Sequence, residues 1–90
     1  MLRISELPAD SGAPATLILE GRAIGAWVPE IERVALARLA LHPRVVLDLA
    51  AVTFLDPSAI ALLRDLEARG CVLASPSSFV DAQLRAWSPS

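Results

Sequence analysis

Few residues in this chain have the chemistry to act on a ligand or be acted upon, and the most suggestive of them sit together. In Asp56-Pro57-Ser58-Ala59-Ile60 a β-branched run gives way to a helical pattern. Aspartate at an N-cap accepts from free backbone N–H groups, and proline at the first helical position loses no hydrogen bond, so these residues form a strong helix start. Ser58 then falls at the second helical position, beside free N–H groups and the positive end of the helix dipole. A phosphate there is compatible with the helix, and its charge of roughly -2 would act on a partner presenting an apolar or acidic surface. Unmodified, Ser58 is an ordinary first-turn serine.

Enzyme chemistry finds little else, and no catalytic residue is assigned. His42, the only histidine, precedes Pro43 at a helix end, where it can interact with last-turn carbonyls. Gly12, Gly21, Gly25 and Gly70 are scattered, and there is no lysine, so no phosphate-binding loop is present. No carboxylate spacing points to a metal, and no cofactor is expected. Asp48 lies inside an apolar run and needs a donor partner or a place at a strand end.

Positioning these residues takes a small set of elements. Met1 to Ser5 reads as a short strand, Pro8 to Pro14 as a loop, and Ala15 to Glu20 as a second strand ending at Gly21. The two pair as a hairpin. From Trp27 onward, Trp27, Val28, Ile31, Val34, Ala35 and Leu39 share one helical arc, Glu30 and Arg33 lie opposite, and Leu36 and Leu41 fall off it. His42-Pro43 ends that helix. Val45 to Leu49 suits a central strand covered on both faces. Pro57 to Arg69 places Ala59, Leu62, Leu63 and Leu66 on one face, leaves Ile60 off it, and stops at Gly70. Cys71 to Ala74 is a fourth strand, and Ser78 opens a last helix through Trp87 with Asp81 in a capping-box-like position.

The fold class is therefore α/β: one domain over residues 1–90, with a mixed, mostly parallel sheet of about four strands and about three helices. Residues 1–14 supply the first strand and loop, and residues 88–90 a tail. At 90 residues and 54% hydrophobic the chain has room for one core, without a second domain. Ten acidic against eight basic side chains give no electrostatic footprint for nucleic acid. The single cysteine, Cys71, rules out an internal disulfide and agrees with a reducing compartment, so a cytoplasmic location is expected. The first residues do not read as a signal peptide, and charged side chains interrupt every apolar stretch short of a membrane span.

With these elements in place, Val45 to Ala59, V-V-L-D-L-A-A-V-T-F-L-D-P-S-A, resembles the core of the STAS family, "VVLDLSGVTFLDSSG". That family includes bacterial anti-sigma-factor antagonists and the cytoplasmic tails of sulfate transporters. Leu19-Glu20-Gly21-Arg22 and Ile60 to Leu63 are similar to the family layout as well, so the resemblance covers Leu17 to about Leu84. It implies a STAS-like fold and a non-enzymatic regulatory module that docks through Asp56, Pro57, Ser58, Ala59 and Ile60. It also implies Ser58 as the position phosphorylated by an anti-sigma kinase-like partner. Pro57 stands where the family has its first serine, and Ala59 where it has glycine.

The same fold serves phosphorylation-independent roles, as an accessory subunit beside a transporter ATPase in phospholipid-transport ABC systems or as a small-ligand sensor. A homodimer built on Trp27, Leu36 and Trp87 is a third reading.

Overall fold

The computed structural model describes residues 2–7, 14–42 and 44–87. Most of the expected loop from Pro8 to Pro14, the helix-stopping Pro43 and the tail at residues 88–90 lie outside them. Four strands and three α-helices follow in order: β1 (Leu2–Leu7), β2 (Ala15–Ala23), α1 (Val28–Leu39), β3 (Val45–Leu55), α2 (Pro57–Ala68), β4 (Cys71–Ala74) and α3 (Ser78–Ala86). A 3-10 turn, Gly25–Trp27, leads into α1. The result is a small α/β domain.

The sheet is mixed and mostly parallel, in the order β1-β2-β3-β4. β1 and β2 form the antiparallel hairpin, while β2, β3 and β4 run parallel. Short connections close the first pair, and helical crossovers are required for the others.

Right-handed crossovers between successive parallel neighbours place their helices on one side of the sheet. The burial pattern agrees. Leu17, Leu47, Val45 and Cys71 are buried, and so are Ile31 and Ala35 of α1 and Leu63 and Leu66 of α2. Burying each leucine fully stabilises the fold by roughly 1.5–3 kcal/mol. On the other face, Ile18, Val46 and Asp48 are only half-buried and Val72 is exposed. β3 is thus covered on one face, not on both as its apolar sequence suggests.

β3 also runs six residues beyond Leu49, and β2 continues past Gly21 to Ala23. Irregular pairing makes this possible. The register shifts between Ile18 and Glu20 and again between Gly21 and Arg22, with Gly21 at φ 104°, a conformation that favours glycine. In β3 the fully buried residues after the first shift are Val52 and Leu55. Asp48 finds its donor here, accepting from the Ala50 N–H at 2.9 Å.

α1 begins at Val28, one residue later than expected, with Pro29 in its first turn. Glu30 and Arg33 pair on its outer side, Leu36 and Leu41 are exposed, and the His42 N–H donates to Arg38 O at 2.9 Å. Gly70, at φ 116°, follows the last residue of α2 and its Arg69 cap as the left-handed terminator. The last helix is capped by Ser77 and not by Ser78: the Ser77 hydroxyl accepts from the Val80 N–H at 3.2 Å. Asp81 pairs with Arg85 instead of closing a capping box. Trp27 and Trp87 are half-buried against the core, which is where small chains usually spend their tryptophans.

Candidate functional site

The chain leaves the carboxyl end of β3 at Leu55 and turns into α2 through Asp56. Asp56 is extended, at φ -85° and ψ 171°, which aims its side chain back over the first turn of the helix. One carboxylate oxygen, Oδ1, accepts from the Ala59 N–H at 2.8 Å and from the Ser58 hydroxyl at 2.7 Å. The other, Oδ2, accepts from the Gly25 N–H at 2.6 Å. The Asp56 N–H in turn donates to Ala23 O at 3.0 Å. A single aspartate therefore caps α2 and also ties the end of β3 to the turn that leaves β2.

Burial pulls the Asp56 carboxyl upward, but the bonds from Ala59, Ser58 and Gly25 outweigh it and hold the group below its ordinary value. It carries a negative charge beside Ser58 at neutral pH.

A second clamp comes from α3. The Gln83 side chain pairs with the Leu55 backbone, accepting from its N–H at 2.9 Å and donating to its carbonyl at 2.8 Å. Arg64 of α2 donates to Leu84 O at 2.8 Å, fastening α3 to the same region. Neither Gln83 nor Gly25 carries a local sequence signal for these bonds, because each meets its partner about thirty residues away along the chain.

Of the five residues expected to dock a partner, Pro57 and Ser58 are exposed and Asp56 is half-buried. Ala59 and Ile60 are buried, so they shape the junction from below and present no side chain to a partner. Ile60 was expected off the core face. α2 packs against α1 as well as the sheet, and that widens its apolar arc to include Ile60.

Ser58 takes the expected second position of α2 and gains a partner there. Its hydroxyl donates to the Asp56 carboxylate at the first turn of α2. A phosphate there would adjoin a carboxylate, a repulsive neighbour.

Among the described residues no group of three or more His, Cys, Asp or Glu side chains could hold a metal ion. No helix among them is long and apolar enough to cross a membrane. A groove of about 420 Å³ is lined by Leu2, Ile4, Ala26, Trp27 and Glu30, beyond the turn that begins at Gly25. No protein-family model matches the chain, and no curated sequence matches it.

Proposed function

We propose that this chain is a STAS-like, non-enzymatic regulatory module that docks a protein partner through the start of α2, with Ser58 as its switch. The observation that carries the reading is the pair of exposed residues, Pro57 and Ser58, held on a junction clamped from two sides by Asp56 to Gly25 and by Gln83 to Leu55. A rigid, exposed helix start gives a partner a fixed surface without ordering costs. Phosphate on Ser58 would add charge to that surface and break the bond to Asp56, which favours release of the partner. The partner class that fits is an anti-sigma kinase-like protein in the cytoplasm.

A second reading rests on the same hydrogen bond. Because the Ser58 hydroxyl is already bonded to Asp56, the junction would also suit a contact surface that acts without modification. A phosphorylation-independent accessory subunit beside a transporter ATPase would use it in that way.

Affinity capture from the native host, with intact-mass measurement, separates the two. The switch reading expects a phosphorylated fraction of the chain, capture by wild type and Ser58→Ala, and loss of capture with Ser58→Glu. Equal capture by all three, with no phosphate on the wild type, would overturn it and favour the accessory role.

A further inference from the structure

We propose that Arg22, Phe54 and Phe79 extend the docking surface and set its specificity, accepting a partner segment that carries a carboxylate beside a large apolar side chain. This builds on the reading that a partner docks at the end of β3, but it does not depend on Ser58 being a switch.

Arg22 and Phe54 are register partners on β2 and β3, and the Arg22 guanidinium lies 5.7 Å from the centre of the Phe54 ring. That is within the range of a cation–π contact, which holds the flat guanidinium in place. Phe79 of α3 stacks on Phe54 with ring centres 6.4 Å apart and planes inclined by 26°. Phe79 is 57% exposed. A cation and an open aromatic face thus flank one ring, only two residues before Asp56.

Charge decides what fits. Arg33, Arg38, Arg64, Arg69 and Arg85 each pair with an acidic side chain; among the described residues Arg22, like Arg3 and Arg44, pairs with none, and Arg22 is the one that lies over an aromatic ring. A guanidinium oriented by a ring and lacking a carboxylate is preorganised to receive one in a two-point contact. Phe79 supplies the apolar surface beside it. The net charge of -2 works against acidic partners in general, so selectivity must come from local contact with Arg22.

The bland alternative is that this cluster only fastens α3 to the sheet, and a titration of the full chain distinguishes the two. The labelled protein is followed by amide NMR against a capped peptide of sequence Gly-Glu-Phe-Glu-Leu-Gly and a control with lysine at both glutamates. The acidic peptide is expected to shift the Arg22, Phe54 and Phe79 signals, more weakly as salt rises, while the lysine peptide leaves them unmoved. Arg22→Glu should weaken acidic-peptide binding by roughly two- to fivefold, the scale of an exposed charge contact. Its unfolding midpoint should fall only slightly, through loss of the one exposed cation–π contact. Equal response to both peptides, no response, or shifts confined to other residues would overturn the proposal. If Ser58→Glu binds the acidic peptide as wild type does, this surface stands and the Ser58 switch loses support. Loss of selectivity in the wild type removes this surface and leaves the Ser58 reading to its own test.

Discussion

Gln83 stands in for a missing strand at Leu55. β4 pairs with β3 only from Val45 to Asp48, so among the described residues the later half of β3 has no strand on that side. The Gln83 amide fills the gap by satisfying both the N–H and the carbonyl of Leu55, a residue only 1% exposed. Buried backbone groups need such partners, whichever element provides them.

Replacing Gln83 with leucine removes both bonds and should destabilise the chain by about 1–3 kcal/mol, the cost of leaving buried polar groups unpaired. Urea unfolding measures the loss, and faster hydrogen exchange at the Leu55 amide localises it. Gln83→Glu should fall between, since a carboxylate can accept from the N–H but cannot donate to the carbonyl.

Asp56→Ala should cost about 1 kcal/mol through the lost cap alone. The loss of the Gly25 contact adds to it, so this variant should be less stable than Ser77→Ala, which removes a cap with no tie to a distant turn. Thermal unfolding of the two variants side by side checks the order.

The pH dependence of stability has a definite sign. In the unfolded chain Asp56 titrates near its ordinary value of about 3.9, and in the folded chain it titrates lower. Between those values the unfolded state binds more protons, so stability falls as pH drops through that window. Above it the contribution is complete. Asp56→Asn should therefore show a shallower loss of stability than wild type between pH 5 and the folded-state value, read from urea midpoints across that range, with the pH 5 end set at about the top of the aspartate titration.

Ser58→Glu places a second carboxylate beside Asp56 and should destabilise the chain by ~0.5 kcal/mol at most, because the positive end of the helix dipole offsets part of the repulsion. Ser58→Ala should stay within about 0.5 kcal/mol of wild type. A rise of the Asp56 carboxyl toward its ordinary value in Ser58→Glu, followed by NMR titration, would accompany the loss.

Cys71 is buried, and burial pushes its thiol up from the ordinary value. Alkylation should be slow in the folded chain and rise to the rate of a free thiol in denaturant. Monitoring labelling by mass across a urea series should reproduce the global unfolding transition.

Much of this arrangement is written locally. Asp56-Pro57 announces the start of α2, Gly70 its end, and the Val45 to Leu49 run the centre of the sheet. The length of β3 is not legible because its buried residues Leu49, Val52 and Leu55 recur every third position. That spacing belongs to no regular strand and arises where the register shifts against β2. Ser77 and Ser78 are chemically identical at the start of α3, so only backbone geometry chooses the cap. The burial of Ile60 is not legible because one helix face cannot reveal a neighbouring helix. The clamps from Gly25 and Gln83 join distant segments, and nothing in their immediate sequence foretells either.

Those same clamps bear on how the molecule reaches its final state. The β1-β2 hairpin closes a short loop, but the Asp56 junction draws one contact from 31 residues earlier and another from 28 residues later. Loop-closure entropy opposes such distant contacts until nearer ones have formed. The β2–β3 pairing, Leu17 with Leu47, spans a similar distance, so the surface around Ser58 is completed only together with the parallel sheet and not with the hairpin. Under the proposed docking, a partner that reads this surface would distinguish a chain with its sheet formed from one still in the course of collapse, so recognition would double as inspection.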